Sequence, residues 1–268
     1  MDKIQYLGHV TGTGPTPIIW ADCPVLDIML DPGVGHMHFD DFNNYSNTAT
    51  TVANASGYPV YEGNTTITHG SVQDGVLEIF GTTNDNEGAL QVGQGASFVI
   101  SDTAANSAKL WFECRVKKSI ITATEMGFFV GLAQEGAGVA SFMAATDFAA
   151  VSLIGFWNAE AAATAAFVYK DSAGALTTPI ATVDTLVADT YVKWGFVYDP
   201  LNEPAKQITV YVDGVEQTTY VTATNIATST FPDGDLLTPI IATEMAATAD
   251  DVTVSMDWWR CAQLRVAG

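Results

Sequence analysis

Apolar and polar residues alternate with a period of two along most of the chain, and Lys109–Lys118 shows this most clearly. Positions 110, 112, 114 and 116 carry Leu, Phe, Cys and Val, whereas positions 111, 113, 115 and 117 carry Trp, Glu, Arg and Lys. Successive side chains of a β-strand point to opposite faces of its sheet. The pattern therefore predicts a strand with one face on a core and the other in water.

Similar segments recur from His36 to the C-terminus, and Gly, Asn and Asp turns separate them. We predict strands at Thr65–Thr68, Val76–Gly81, Ala89–Val92, Ser97–Ile100, Lys109–Lys118, Met126–Leu132, Val151–Trp157, Ala165–Lys170, Tyr191–Tyr198, Gln207–Val212, Val215–Val221, Leu236–Thr243 and Asp251–Val266. Asp213-Gly214 is a strong signal for a two-residue hairpin, because both turn positions require a positive φ. Ala137–Phe148 is rich in small residues and is predicted as a loop with a short helical turn. These elements predict an all-β, two-sheet antiparallel sandwich.

Residues 1–35 differ from the rest of the chain. Four Pro and several Gly residues argue against a regular helix or a central strand there. The apolar residues of this segment nevertheless need burial: Ile18, Ile19, Trp20, Val25, Leu26, Ile28, Met29 and Leu30. Either an extended arm lies on a neighbouring protein, or it folds back on its own domain, and the pattern does not choose between the two. We divide the chain into an extended N-terminal arm (1–35) and a sandwich domain (36–268).

Three segments together resemble a known family. They read Trp-Phe-Glu-Cys-Arg-Val at 111–116, Gly-Phe-Phe-Val-Gly-Leu at 127–132, and Lys-Trp-Gly-Phe at 193–196 leading into Val-Tyr-Val-Asp-Gly-Val at 210–215. This order resembles the concanavalin A-like lectin/glucanase jelly roll, also called the laminin-G-like sandwich. More narrowly, it is similar to bacteriophage virion structural proteins that carry such a domain. The resemblance covers roughly residues 36–266 and implies a jelly-roll topology.

The catalytic motif of the glycanases in this family does not carry over. It places two or more carboxylates on one face of a strand, because a retaining mechanism needs a pair about 5–5.5 Å apart. Glu113 instead has Arg115 and Lys117 at the following same-face positions, and Asp257 lies between Ser255 and Trp259. We therefore assign no catalytic residue and expect a protein that is not an enzyme.

Charge and cysteine content narrow the function classes further. The chain has 30 acidic and 10 basic residues, a net charge of −20, which disfavours nucleic acid and anionic membranes as partners. Its three cysteines, Cys23, Cys114 and Cys261, show no metal-site spacing and no disulfide framework. We find no signal peptide and no apolar run long enough to span a bilayer, and expect synthesis in a host cytoplasm.

Metal sites have only weak support in the sequence. His36 and His38 share a strand face with Asp40, but a strand start without metal is the preferred interpretation. The loop Asn84–Gly88, the pair Asp250-Asp251, and Asp233 with Asp235 are interpreted as solvated turns, with calcium as the alternative. We predict no metal ligand and no cofactor.

Four aromatic residues, Trp111, Tyr191, Tyr211 and Trp259, fall on the outward phase of their strands. They are predicted contacts for a protein surface, with a glycan as the alternative. Together with the resemblance, this favours a capsid decoration protein in the virion. Its arm would bind the major capsid protein or another virion protein, and it would form a homo-oligomer, a trimer on a lattice with local threefold axes. The alternatives are a carbohydrate-binding domain of a phage tail or head fibre, and a divergent glycanase.

Overall fold

The chain folds into two facing antiparallel sheets in a computed structural model. The structure describes residues 12–42, 60–62, 66–69, 75–81, 87–91, 97–102, 107–121, 126–134, 142–144, 146–160, 162–245 and 251–266. Its strands are β1 (Gly35–Asp40), β2 (Val60–Glu62), β3 (Thr66–His69), β4 (Leu77–Gly81), β5 (Glu87–Gln91), β6 (Phe98–Val99), β7 (Leu110–Lys118), β8 (Gly127–Gln134), β9 (Met143–Ala144), β10 (Asp147–Phe148), β11 (Leu153–Asn158), β12 (Thr164–Lys170), β13 (Thr177–Thr185), β14 (Val192–Tyr198), β15 (Ile208–Val212), β16 (Val215–Glu216), β17 (Leu236–Glu244) and β18 (Val252–Leu264).

Sheet 1 has the order β16-β15-β14-β7-β18-β4-β3, and β1 pairs with the C-terminal half of β18. Sheet 2 has the order β13-β12-β11-β8-β17-β5-β2, and β6 pairs with the start of β17. Most neighbours in each sheet are distant in sequence, as in a jelly roll. The predicted all-β sandwich is therefore confirmed.

The main core lies between the two sheets and is rich in stacked aromatic rings. The Trp194 ring stacks on those of Phe128 and Phe156, at centroid distances of 5.5 and 5.3 Å, and Phe112 stacks on Phe196 at 5.3 Å. These residues occupy the inward phase of β7, β8, β11 and β14, where burial drives packing of the two sheets. Cys114 and Cys261 are free and buried, and burial raises the pKa of both thiols.

The Asp213-Gly214 hairpin is confirmed. Asp213 has φ 48° and Gly214 has φ 80°, and Val212 pairs directly with Val215 across the two-residue turn. Glycine tolerates this left-handed conformation, and Asp does so better than most residues. The return strand is shorter than the predicted Val215–Val221. Strand β16 ends at Glu216, and beyond it a single bridge joins Ile208 to Val221.

A β-bulge in β18 corrects the predicted orientation of Trp259. The register against β7 shifts between Met256 and Trp258, which inserts an extra residue into β18. A bulge of this kind reverses which side chains face the core beyond it. Trp259 therefore points into the main core, where it is buried, and not outward as predicted.

The described part of the N-terminal segment is not an extended arm. It forms two short helices, α1 (Pro17–Trp20) and α2 (Val25–Leu30), and a third, α3 (Ala223–Ile226), lies before β17. Pro17 occupies the first turn of α1, where a backbone donor is not needed. Among the described residues, no helix has the length and apolar character needed to cross a membrane.

Candidate functional site

Residues 12–34, the described part of the N-terminal arm, lie on the outer face of sheet 1. Ile19, Trp20 and Ile28 are buried there against Trp111, Val197, Tyr211 and Ala262. The arm thus folds back on its own domain. These three residues were predicted to contact a partner, and in this structure their apolar surface is buried within the chain.

The other predicted arm contacts remain accessible. Val25 is half-buried, and four large apolar side chains are exposed: Ile18 by 58%, Leu26 by 50%, Met29 by 61% and Leu30 by 75%. In α2, Val25 and Ile28 face the domain, whereas Leu26, Met29 and Leu30 recur at the i, i+3, i+4 spacing of one helix face. That face is apolar and points away from the sandwich.

The carboxylate of Glu113 holds the first part of the arm. The backbone N–H of Thr16 donates to Oε1 and Oε2 at 3.1 and 3.0 Å, and the Trp20 indole N–H donates to Oε2 at 2.6 Å. Glu113 is fully buried in the middle of β7. Burial raises the pKa of Glu113, although these hydrogen bonds and the charge of Lys193 act in the opposite direction.

Asp22 makes a second set of anchors at the end of α1. It accepts hydrogen bonds from Lys109 Nζ at 2.5 Å and from the Trp111 indole N–H at 3.0 Å. Lys109 also pairs with Asp199 at 2.6 Å, which ties the arm to the loop after β14. Polar contacts therefore fix the arm at more than one point.

The backbone carbonyls at the start of the arm bind the same face of sheet 1. The Trp258 indole N–H donates to the carbonyl of Thr13 at 2.9 Å, and Lys193 Nζ donates to that of Gly14 at 3.4 Å. Gly195 and Gly214 lie beneath the arm, where an added Cβ would press on Ile19 and Thr16 respectively. The surface of sheet 1 is thus shaped to receive this segment.

The arm buries two of the four aromatic residues that were predicted to contact a partner. Trp111 and Tyr211 do point outward from sheet 1, but the arm covers both of them. Tyr191 alone of the predicted four stays half-exposed, with the Arg115 guanidinium 4.0 Å from its ring centroid. Arg115 is held in turn by an ion pair with Asp257.

The outer face of sheet 2 carries an apolar cluster that sequence reasoning missed. Phe129 packs edge-on against Phe142 and Phe148, at 5.6 and 5.3 Å, and Trp157 contacts Phe148 at 5.3 Å. Strands β9 and β10 form a small hairpin over this cluster, in place of the predicted loop with a helical turn. The near-continuous apolar run of β8 was the available signal, since such a run indicates burial on both faces.

Lys170 fastens the hairpin to sheet 2. Its Nζ donates to the carbonyl of Phe148 at 2.7 Å and pairs with Asp147 at 3.0 Å. The pKa of Asp147 is lowered by the hydrogen bond from the Phe148 N–H and by Lys170, which together outweigh partial desolvation. Sheet 2 is therefore covered over the cluster by a segment of its own chain.

The weak metal candidates do not assemble. Within the described part of the chain, no three His, Cys, Asp or Glu side chains lie close enough to share an ion. His36 packs on Phe98 at 4.8 Å and His38 on Trp259 at 6.2 Å. Asp233 accepts from the Asp102 N–H at 2.8 Å, and Asp235 accepts from the Ser152 hydroxyl. Residues 84–86 and Asp250 lie outside the described residues.

The exposed face of α2 has an acidic border. Residues 12–34 contain three Asp residues and no Lys or Arg. Asp27 and Asp31, on and just after α2, are both exposed. An apolar surface bordered by negative charge is thus presented to solvent.

No family model and no curated protein sequence matches the chain. A protein of unknown function from Shewanella oneidensis MR-1 is similar over 91% of this chain and 95% of its own, with 14% identity and a TM-score of 0.56. Peanut lectin matches over 87% of this chain and 100% of its own, with 13% identity and a TM-score of 0.53. A non-specific endo-β-1,3(4)-glucanase of family GH16 matches over 87% and 93%, with 11% identity and a TM-score of 0.52. At these identities the likeness concerns the fold, and the chain has the jelly-roll sandwich of the concanavalin A-like lectins and GH16 glycanases.

Proposed function

We propose that the protein is a structural component of a bacteriophage virion, a capsid decoration protein that attaches through the outward face of α2. The observation that carries the proposal is the exposure of Leu26, Met29 and Leu30 on one face of a helix that is anchored to the domain. Exposed apolar side chains that cluster in this way are typical of protein–protein contacts. Burial of each would contribute about 1.5–3 kcal/mol.

The charge of the surface defines the partner. Asp27 and Asp31 border the apolar residues, and the whole chain carries a net charge of −20. Complementarity requires an apolar groove with a basic border. We propose that this groove belongs to the major capsid protein, and that the decoration protein binds as a trimer at local threefold axes.

We further propose that the protein binds and does not catalyse. Glu113, the acidic residue of the most regular strand, accepts hydrogen bonds from Thr16 and Trp20 and is shielded from solvent. A retaining glycanase needs two accessible carboxylates that flank the substrate. Arg115 and Lys193 share the outer face of sheet 1 with Glu113, and their positive charge supports a structural role for this carboxyl.

Capsid binding by surface variants tests the proposal. Capsids assembled from the major capsid protein of the same genome are sedimented with wild-type protein and with a Leu26→Ser, Met29→Ser, Leu30→Ser variant. We expect the triple variant to lose affinity by a hundredfold or more, because three apolar side chains are no longer buried. Leu201→Ser is the matched control, since Leu201 is 91% exposed outside the arm. Equal binding by the triple variant and the wild type would contradict the proposal.

Carbohydrate binding is the second candidate function. Tyr191 favours it, because its half-exposed ring is available for stacking on a sugar, and peanut lectin shares the fold. A glycan array would show specific binding that Tyr191→Ala removes. Tyr220→Ala is the matched control, because both rings have a cation beside them. Lys206 Nζ lies 4.8 Å from the Tyr220 ring centroid, and the Arg115 guanidinium lies 4.0 Å from that of Tyr191. Chelation of calcium during the same assay tests the metal requirement.

A further inference from the structure

Glu113 is a buried carboxyl without an ion-pair partner. Among the described residues, no Lys, Arg or His nitrogen lies within 4 Å of its oxygens, although six other acidic residues make such pairs. An isolated carboxylate that is removed from water is strongly destabilised, and such groups usually become neutral.

The charged neighbours of Glu113 on each packed element are engaged elsewhere. On β7, Arg115 pairs with Asp257, and on β14, Lys193 binds the Gly14 carbonyl. On β18, Arg260 lies directly opposite Glu113 and 5.3 Å from the Phe39 ring. In the arm, Asp22 binds Lys109. On β15, Tyr211 is neutral at physiological pH because burial raises its pKa further. Lys193 is the cation whose charge acts on Glu113, and burial outweighs it.

The arm also supplies an unused hydrogen-bonding atom beside this carboxyl. Thr16 Oγ1 is buried without a hydrogen bond of good geometry, and the Thr16 side chain, as a donor beside the carboxyl, lowers the pKa of Glu113. If Glu113 is neutral, Oε2 still accepts from Trp20 and Thr16, and the acid O–H is available to Thr16 Oγ1. Both forms of Glu113 can therefore satisfy Thr16 Oγ1, and it is burial without an ion-pair partner that favours the neutral acid.

We propose that docking of the arm favours the protonated form of Glu113, so that docking takes up protons and acid strengthens it. The proton moves from solvent to a carboxylate oxygen when the arm closes, and it returns to solvent when the arm opens. With the arm open, Glu113 lies on a solvated strand and ionises normally. Docking is therefore strongest at low pH and weakens as the pH rises through the value at which docked Glu113 ionises.

This proton linkage would regulate attachment, a consequence that rests on the proposed function. If α2 presents its outward face only while the arm is docked, a rise in pH above 4.5 would weaken attachment to capsids. Docking can be measured on the free protein. A failure of capsid binding with normal proton linkage would therefore count against the attachment proposal alone.

Carboxyl titration by carbon-13 NMR on the wild-type protein tests the proposal directly. We expect the Glu113 signal to titrate above the ordinary value of 4.5, and to shift together with the indole signal of Trp20. A Glu113 carboxyl that titrates at or below 4.5 would overturn the proposal.

Two variants give an independent test by hydrogen exchange of the 16–20 amides at neutral pH. Glu113→Gln imitates the neutral acid, because its Oε1 accepts from Trp20 and its amide N–H group can serve Thr16 Oγ1. We expect arm protection at least as strong as in the wild type, and independent of pH. Glu113→Ala removes the acceptor and should speed exchange roughly tenfold or more. Glu203→Gln, at an exposed loop position, is the control. Faster exchange in Glu113→Gln than in the wild type would show that the ionised form holds the arm, contrary to the proposal.

Discussion

At the scale of single residues, the fit between the arm and sheet 1 depends on Gly195. A Cβ at this position would lie 2.7 Å from Ile19 Cδ1 and 3.0 Å from the Phe112 carbonyl oxygen. The first contact involves the flexible end of a side chain, which can move, whereas the second involves backbone, which cannot. Glycine is therefore required at position 195 because Ile19 and the Phe112 carbonyl approach it closely, and not because of an unusual φ angle.

The effect of Gly195→Ala follows from this contact. Overpacking of this kind should lower the free energy of unfolding by about 1–3 kcal/mol. Ile19→Val removes the methyl group nearest the new Cβ, so the double variant should be less destabilised than the sum of the single changes. Urea unfolding of the four proteins measures the coupling. Strict additivity would mean that Ile19 does not lie on Gly195.

A second residue-scale prediction concerns His36 and His38. Desolvation lowers the pKa of both side chains from 6.5, with Asp40 opposing the effect at His38. The folded protein thus favours the neutral imidazoles, and their contribution to stability is present above pH 6.5 and lost as the pH falls below it. The urea midpoint should therefore decline below pH 6.5. A His36→Gln, His38→Gln variant should show a shallower decline, and an identical one would contradict the assignment.

At the scale of elements, strands with strong alternation were predictable and irregular ones were not. The period of two located β7 because its two faces differ sharply in polarity. It missed β13, an edge strand that contains Pro179 and pairs irregularly with β12. Proline lacks a backbone donor and is tolerated at a sheet edge, where it breaks the usual strand signal. The β18 bulge could not be predicted either. Trp258 and Trp259 are adjacent and of the same type, so the sequence pattern does not show which of them faces the core.

Only the residue composition of the candidate site could be predicted from the sequence. The arm's apolar residues were recognised, but periodicity along a strand cannot reveal what covers the outward face. Trp111 therefore looked exposed, although Asp22 of the arm binds its indole N–H. This contact joins residues 89 positions apart, and no local pattern records it.

Removal of the arm should destabilise the sandwich. Deletion of residues 1–34 uncovers Trp111 and Tyr211 and removes Ile19, Trp20 and Ile28 from the fold. Each of these three side chains contributes about 1.5–3 kcal/mol, so the total is comparable with the whole stability of a domain, about 5–15 kcal/mol. Urea unfolding of the truncated protein measures the loss. An unchanged midpoint would show that the arm does not stabilise the domain.

At the scale of the whole molecule, the sandwich uses segments of its own chain to cover both sheets. The arm covers part of sheet 1, and the β9–β10 hairpin covers the aromatic cluster of sheet 2. Lectins and glycanases of the same fold are among the matches. In this protein, the arm and the β9–β10 hairpin pack on the outer faces of the two sheets. The outward face of α2 remains as an exposed apolar surface on an acidic protein.

Hydrogen exchange of the protein, free and bound to capsids, tests this account most directly. The account predicts that the amides of residues 16–20 are protected in both states, because the arm is docked on its own domain throughout. It predicts that residues 25–30 gain protection only on capsids, because a partner then covers the outward face of α2. Unprotected residues 16–20 in the free protein, or unchanged exchange of residues 25–30 on binding, would contradict it.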